Sequence, residues 1–292
     1  MSPALDRLNR RFPRKRAFIT GAASGLGLAL ARALAANGWA LGLFDRDETR
    51  LSQVDVELSG GIAAQSYPGD VTQADVLTVA VNSFAAAHNG LDLMINNAGV
   101  AAAGEVTATE LDDWQWVMEI NFIGVLNGAR AAIPHLQLGG TGLIINIASA
   151  AAFAALPGMG AYNASKAAVL SLSETLSGEL KPAGIQVSVV MPTFFKTSIL
   201  ESMRAPPENH ERATRMMAAS NYSADEVAFD LLTHAARGKL HIVLPRSARW
   251  LWRFKRWMPA VYLSSVGQIR ARMQGDGNGD GLQPTGYGQK EN

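Results

Sequence analysis

The residues that decide the fold are TGAASGLG, Thr20–Gly27, which follow a short apolar run beginning at Ala17. The residues that come next, 25–37, have the apolar spacing of a helix. In a connection of this kind one glycine permits a tight turn, another lets the backbone approach a pyrophosphate, and a third lets the helix pack on the strand. The helix N-terminus adds free N–H groups and the positive end of a dipole. The stretch therefore predicts a phosphate-binding loop, with an ordinary glycine-rich connection as the alternative.

Apolar runs and helical patterns alternate along the rest of the chain. The runs predict strands at 17–20, 40–44, 62–67, 91–95, 142–148, 185–191 and 240–244. The helical patterns cover 25–37, 49–58, 74–88, 110–136 with an interruption near Pro134, 161–181 with a stop at Pro182, and 224–236. Parallel strands joined by right-handed helical crossovers form a doubly wound sheet. We therefore predict one α/β domain, with about seven parallel strands and helices on both faces.

The composition excludes several classes of protein. Hydrophobic residues make up 48% of the 292 residues and charged residues 17%, which excludes disorder of the whole chain. Because cysteine is absent, disulfide scaffolds, thiolate metal sites and thiol catalysis are excluded too. The histidines are scattered, and DGNGDG at Asp276–Gly281 has Tyr287 where a calcium loop ends in glutamate, so we expect no metal. No signal peptide is evident, and we expect a cytoplasmic protein.

Charge is distributed unevenly along the chain. Residues 1–16 carry a net charge of +5, residues 17–244 carry −9, and residues 245–273 carry +7 with no acidic residue. An acidic body would repel phosphates, so we expect no nucleic-acid partner. The basic ends would instead contact anionic lipid or fold back onto the acidic body.

Asp45 ends the second predicted strand, 18 residues after Gly27. A carboxylate at about this spacing holds adenosine ribose hydroxyls in dinucleotide-binding proteins and repels a 2′-phosphate, which favours NAD over NADP. Arg46 favours the opposite choice, because an arginine there could receive a 2′-phosphate. A third interpretation is that Asp45–Asp47 form only a solvated loop.

Tyr162 and Lys166 stand four residues apart on a predicted helix, so their side chains share one face. Ser149 ends the fifth predicted strand, and Asn121 lies within the long helical region before it. Since strand C-termini line the ligand crevice of a doubly wound sheet, we expect Ser149 and Tyr162 to meet there.

These patterns together resemble the short-chain dehydrogenase/reductase family. The matching elements come in the family's order: TGAASGLG, Asp70–Val71, NNAG at Asn96–Gly99, Asn121, Ser149 and YNASK at Tyr162–Lys166. They extend from about Ala17 to Thr197, most of the chain. The resemblance implies a Rossmann-type fold, NAD or NADP as cofactor, and a homodimer or homotetramer.

The resemblance also implies a role for each matching residue. Tyr162 would be the general acid/base, Lys166 would hold the nicotinamide ribose and help the phenol to ionise, and Ser149 would orient the substrate oxygen. Asn121 would position a water that connects Lys166 to solvent. The residues expected to bind the cofactor are Gly21, Ser24, Gly25, Leu26, Gly27, Asp45, Arg46, Asp70, Val71, Asn97, Ala98, Gly99, Tyr162, Lys166, Pro192, Phe195 and Thr197. Each role has a structural alternative. Asn121 would be a helix-packing amide, Asp70 would cap a helix, and Tyr162 and Lys166 would be a pair on a helix surface.

The sequence departs from the family after the sixth predicted strand. Thr193 stands where the family usually has the glycine of a Pro-Gly pair, and a bulkier residue there would reshape the substrate pocket. The predicted pocket contains Ser149, Tyr162, Thr193 and apolar residues, namely Ala150, Ala155, Leu156, Met191, Phe194, Phe195, Ile199, Leu200 and Met203. Residues 193–221 would form its lid. An apolar pocket favours a hydrophobic alcohol or ketone as substrate.

A basic and aromatic segment, 246–258, follows the last predicted strand. Drawn as a helix, it has Trp250, Leu251, Phe254, Trp257 and Met258 on one face, and Arg249, Arg253 and Arg256 form a stripe on another. Such a helix lies at a membrane surface, or packs its apolar face on the body or on a second subunit.

These observations predict an NAD(P)-dependent oxidoreductase that interconverts a hydrophobic secondary alcohol and its ketone. The alternatives are a silent dinucleotide-binding sensor or scaffold, and a membrane-peripheral dehydrogenase of the lipid, sterol or retinoid type. The predicted organisation is a basic N-terminal arm (1–16), a catalytic domain (17–245) with the lid (about 193–221), a basic and aromatic extension (246–273) and a disordered glycine-rich tail (274–292).

Overall fold

A computed structural model describes residues 5–58 and 63–266. It contains a parallel sheet of seven strands in the order β3-β2-β1-β4-β5-β6-β7. The strands are β1 Arg16–Thr20, β2 Ala40–Asp45, β3 Ala64–Pro68, β4 Leu93–Asn96, β5 Gly142–Ile147, β6 Ile185–Pro192 and β7 His241–Leu244. The predicted α/β class and doubly wound sheet are confirmed, and β1 and β4 are the neighbours at which the strand order reverses.

Helices cover both faces of the sheet, so the central strands β1, β4 and β5 are buried on both sides. On one face the apolar core includes α1 Asp6–Arg11, α2 Gly25–Ala35, α3 Glu48–Leu58 and α10 Ala224–Ala235. On the other face it includes α4 Ala74–Ala87, α5 Leu111–Met118, α6 Gly124–Leu138 and α8 Gly160–Leu180. The remaining helices, near the carboxyl ends of the strands, are α7 Ala151–Ala154, α9 Pro207–Ala218 and α11 Ala248–Trp257.

The prediction of an interruption near Pro134 is wrong. Pro134 lies inside α6 and is exposed, so water can hydrogen-bond the carbonyl group that the proline leaves without a helical donor. The long helical region is instead interrupted by a π-helical turn, Glu119–Ile123, which separates α5 from α6.

The N-terminal segment from residue 5 onward packs against the body. Leu5, Leu8 and Phe12 are fully buried in the same core cluster as α2 and α10. Arg16 then begins β1 and forms a buried ion pair with Asp92, with 2.8 Å between Arg16 Nη2 and Asp92 Oδ1. Residues 1–4 of the predicted basic arm lie outside the described residues.

The C-terminal segment consists of α11 and a second helical stretch, 259–266. Trp252 and Ala248 of α11 pack against the core, while Arg249 donates hydrogen bonds to Val243 O and His234 Nε2. The predicted apolar face is largely exposed, although its Leu251 also lines the cleft described below. Together with two residues of the second stretch it forms an exposed C-terminal face of Trp250, Leu251, Phe254, Trp257, Met258, Val261 and Leu263.

The rest of the extension and the predicted disordered tail, 267–292, lie outside the described residues. Across the part of the chain that is described, no helix is long and apolar enough to cross a membrane. Within the same residues, no group of three or more histidine, aspartate or glutamate side chains could hold a metal ion.

Candidate active site

A cleft of about 570 Å³ opens at the carboxyl ends of the strands, over the point where the strand order reverses. Its walls come from the loops after β1, β2, β3, β4, β5 and β6. All predicted cofactor residues line it except Gly27, which packs beneath the phosphate loop. The topology thus brings together residues from Gly21 to Thr197.

The phosphate loop is shaped by two glycines. Gly21 has a φ of +65°, which side chains rarely permit, and directly follows β1. Gly27 lies in the first turn of α2, where a Cβ atom would stand 1.9 Å from the carbonyl oxygen of Gly21. The helix can therefore start close beneath the loop, and its first N–H groups face the cleft.

The loop after β4 holds the phosphate loop in place. The Asn97 side-chain amide donates to the carbonyls of Thr20 at 3.0 Å and Gly21 at 2.9 Å. The Thr20 hydroxyl accepts from the backbone N–H groups of Asn97 and Ala98. These bonds join the loop after β4 to the phosphate loop at the point where the strand order reverses. The Asn97 side chain thus fixes the phosphate loop in position.

Asp45 lies half-buried at the end of β2 and lines the cleft, as the sequence indicated. Its carboxylate accepts backbone N–H groups from Ala23 at 2.9 Å and Asp47 at 3.0 Å. These bonds fix the carboxylate beside the phosphate loop. Arg46 is exposed at the rim of the cleft.

Asp70 and Val71 line the cleft after β3. One Asp70 carboxylate oxygen accepts from the backbone and the hydroxyl of Thr72, both at 2.9 Å, and so closes a turn. The residue that caps α4 is Gln73, so the helix-cap alternative for Asp70 is wrong. Asn127 donates to the Val71 carbonyl at 2.9 Å, which ties this loop to α6.

Ser149 and Tyr162 meet in the cleft. Ser149 stands two residues beyond β5, and its hydroxyl accepts from the Ala151 N–H at 3.1 Å. Tyr162 lies in the first turn of α8, is 8% exposed, and is hydrogen-bonded to Ser149. Burial raises the pKa of the Tyr162 phenol, and the hydrogen bond with Ser149 acts in the opposite direction.

Lys166 lies one helical turn after Tyr162 and is 2% exposed. Its ammonium donates to the Ile147 carbonyl at 3.1 Å and lies 5.7 Å from the centre of the Tyr162 ring. Burial lowers the pKa of Lys166 to about 8. The two residues therefore form a buried pair at the cleft, and the surface-pair alternative is wrong.

Asn121 does not line the cleft; it lies behind it, fully buried in the π-helical turn. Its side-chain amide accepts from the Val100 N–H at 2.8 Å and donates to the Val100 carbonyl at 3.0 Å and the Ser165 hydroxyl at 3.1 Å. Ser165 in turn donates to the Tyr162 carbonyl at 2.9 Å. Asn121 thus braces the first turn of α8, as the packing interpretation describes.

Most predicted pocket residues line the apolar end of the cleft beside Tyr162. They are Ala150, Leu156, Thr193, Phe194, Phe195, Ile199, Leu200 and Met203. Ala155 and Met191 are not among them. Met191 is fully buried within β6, and Ala155 ends α7 as an exposed residue with a φ of +51°. The Thr193 N–H donates to the Leu244 carbonyl at 2.9 Å, which fixes this residue against the end of β7.

Sequence reasoning missed residues that close the cleft from outside. Arg50, in α3, forms an ion pair with Glu201 of the lid at 2.8 Å, and Ser198 donates to Ser24 of the phosphate loop at 2.9 Å. Leu251 and Tyr262 add a wall from the C-terminal segment. Apart from Ser24, none of these residues belongs to a cofactor-binding or catalytic motif, and tertiary packing brings them to the cleft.

The residues of the cleft fit a dinucleotide. The tight Gly21–Gly27 approach leaves room for a pyrophosphate at the N-terminus of α2, and the Asp45 carboxylate stands at the end of β2. The other half of the cleft runs past Lys166 to the Ser149–Tyr162 pair and continues into the apolar pocket. A cofactor and an apolar substrate thus have adjoining spaces that meet at Tyr162.

Known proteins match this chain over most of its length. The sequence model described as "short chain dehydrogenase" matches residues 15–208. A "Probable oxidoreductase EphD" from Mycobacterium tuberculosis is 33% identical over 266 residues, which is 86% of this chain and 44% of that protein. The chain thus spans less than half the length of that relative.

Two further proteins match most of their own length. A "3-alpha-(or 20-beta)-hydroxysteroid dehydrogenase" from M. tuberculosis is 34% identical over 187 residues, or 64% of this chain and 71% of that one. The crystal structure of a short chain dehydrogenase/reductase from Burkholderia phymatum in complex with NAD superposes with a TM-score of 0.79 at 30% identity, covering 83% of this chain and 92% of that one. The chain therefore belongs to the short-chain dehydrogenase family of oxidoreductases.

Proposed function

We propose that the protein is an NAD-dependent oxidoreductase that interconverts a hydrophobic secondary alcohol and its ketone. The observation that carries the proposal is the contact of Ser149 with Tyr162, next to buried Lys166, at the junction of the dinucleotide cleft and an apolar pocket. Perturbed titratable groups of this kind cluster at catalytic sites.

Tyr162 exchanges a proton with the substrate oxygen, and the Ser149 hydroxyl orients that oxygen by a hydrogen bond. Burial keeps the phenol protonated, as the reduction of a ketone requires. The Lys166 ammonium favours the phenolate that alcohol oxidation requires, since an opposite charge stabilises the ionised form. When bound, the cofactor would supply the hydride as NADH in ketone reduction and accept it as NAD⁺ in alcohol oxidation. Asn121 positions Tyr162 through Ser165.

Asp45 supports NAD over NADP. Its carboxylate is held beside the phosphate loop by two backbone N–H groups, where it would accept ribose hydroxyls and repel a 2′-phosphate. The NAD bound by the B. phymatum protein is consistent with this choice. NADP, received by Arg46, remains the alternative cofactor.

The apolar pocket supports a hydrophobic substrate. Leu156, Phe194 and Met203 line it. Thr193 also lines it and would reshape it where the family usually has glycine. A relative named for a hydroxysteroid substrate supports a secondary alcohol on an apolar body. As the resemblance implies, we also propose a homodimer or homotetramer, located in the cytoplasm.

Tyr162→Phe tests the proposal directly. We expect turnover of secondary alcohols to fall by about 10²- to 10⁴-fold, because the ring and its packing remain and only the proton-transferring group is lost. NADH binding, measured by energy transfer from tryptophan to the reduced nicotinamide, should fall far less than turnover, because the other residues expected to bind the cofactor are unchanged.

Two outcomes would contradict the proposal. Wild-type protein that binds NADH but turns over no alcohol or ketone in a broad panel would identify a dinucleotide-binding sensor. Clearly tighter binding of NADPH than of NADH would show that Arg46, and not Asp45, decides the cofactor.

A further inference from the structure

The C-terminal face concentrates exposed apolar surface in a short segment. Among the described residues, fifteen large apolar side chains are exposed, and seven of them lie between residues 250 and 263. Trp250 is 71% and Trp257 79% exposed. Single exposed apolar side chains are ordinary, whereas a cluster of this size marks a binding surface.

The segment is fixed on the body by its opposite side. Trp252 stacks near His241 with 5.2 Å between ring centres, and Lys255 donates to the Phe153 carbonyl. Tyr262 is 4% exposed and donates to the Ala154 carbonyl at 2.9 Å. The outward direction of the apolar side chains is therefore set by these contacts.

Exposed basic side chains lie in the same segment as the C-terminal face, and no acidic residue occurs from 245 to 266. Arg246, Arg253 and Arg256 are exposed. The Arg253 and Arg256 guanidinium groups lie 5.7 and 5.1 Å from the ring centres of Trp250 and Trp252. Cationic groups beside indole rings are suited to anionic headgroups above an acyl boundary.

The same segment forms part of the cavity walls. Leu251 and Tyr262 line the main cleft, and Val266 lines a second cavity of about 260 Å³. The two cavities share walls, including Leu156, Phe194 and Met203. The C-terminal face therefore lies at the rim of the apolar part of the cleft.

We propose that the C-terminal face docks the protein on an anionic phospholipid bilayer, with its apolar side chains at the headgroup–acyl boundary and its arginines among the headgroups. A second copy of the chain fits less well. A two-fold interface would bring two copies of this basic segment, which has no acidic residue, into one contact area. Docking would hold the rim of the apolar cavity at the membrane surface.

Vesicle flotation with the full chain tests the proposal independently of cofactor and turnover. We expect binding to phosphatidylcholine vesicles that contain phosphatidylglycerol, weaker binding to phosphatidylcholine alone, and loss of the difference at high salt. Trp250→Ala with Trp257→Ala should weaken binding roughly ten-fold or more, and Phe at both positions should restore part of it.

A matched control removes apolar side chains elsewhere. Leu138 is 87% and Phe229 40% exposed, on α6 and α10, so Leu138→Ala with Phe229→Ala should leave vesicle binding unchanged. The proposal is overturned if the wild type ignores anionic vesicles at low salt. It is also overturned if the Trp250 and Trp257 variant still binds vesicles but sediments as a smaller species than the wild type. That result would identify the C-terminal face as a subunit interface.

Discussion

Lys166 carries its ammonium group in the interior, with one hydrogen bond to the Ile147 carbonyl. Burying a charge without a counter-charge is unfavourable. Burial therefore lowers the pKa of Lys166 to about 8, and the folded protein releases this proton more readily than a free lysine does. The residue is therefore retained at a cost in stability.

Lys166→Met should stabilise the protein and abolish turnover. An apolar side chain of similar length removes the buried charge, and we expect the free energy of unfolding at pH 7 to rise by about 1–3 kcal/mol. The gain should be complete below pH 8 and shrink between pH 8 and 10.5, because the unfolded lysine still holds its proton in that range. Denaturant unfolding at several pH values measures it. A variant less stable than the wild type at pH 7 would contradict this account.

Two elements of the structure show what a sequence pattern can and cannot fix. The phosphate loop and its helix follow from the glycine spacing and are where the sequence placed them. The π-helical turn does not follow from the sequence pattern. It covers only five residues, so it alters the apolar spacing over a single turn of a long helical region. The sequence predicted a helical element for Asn121 and a water between it and Lys166. It did not predict the bonds of Asn121 to Val100 and Ser165, which depend on that turn.

The C-terminal segment shows a second limit. The sequence placed Trp250, Leu251, Phe254, Trp257 and Met258 on one face, and they share one. Periodicity gives the face but not the direction in which it points. Trp252 and Lys255, which no pattern singled out, anchor the helix and turn that face outward.

Gly27→Ala should disrupt the first strand–helix unit. A Cβ atom there would meet the Gly21 carbonyl at 1.9 Å, so the loop or the helix must move. We expect a loss of about 2 kcal/mol or more in unfolding free energy and a large loss of NADH affinity. The matched control is Gly178→Ala in α8, where nothing lies within 4 Å, and helix propensity should add about 0.5–1 kcal/mol. Equal thermal shifts for the two variants would contradict the packing argument.

At the scale of the molecule, α1 belongs to the core and is more than a charged arm. Phe12 is fully buried, and its ring meets Trp39 edge to face at 6.3 Å. The sequence analysis emphasised the charge of residues 1–16, which include six basic residues. The apolar set of Leu5, Leu8 and Phe12 is too short to predict a helix from its spacing.

Phe12→Ala should therefore destabilise the whole domain. Removing a buried phenylalanine ring typically costs about 3–5 kcal/mol, and urea unfolding should report it as a lower midpoint with an unchanged slope. Arg10→Ala, an exposed change in the same helix, should stay within about 0.5 kcal/mol of the wild type. A Phe12→Ala protein as stable as the Arg10 variant would show that α1 does not contribute to the core.

The position of β1 between β2 and β4 also orders events during synthesis. A ribosome delivers β1, β2 and β3 before β4, so β1 keeps an open apolar edge until residues 93–96 emerge. Until then Arg16 also lacks the carboxylate of Asp92. At that stage β1, β2 and β3 have been synthesised and β4 has not. The unpaired edge of β1 is then open to incorrect pairing. A chaperone that shields this edge would therefore have to act before residues 93–96 emerge.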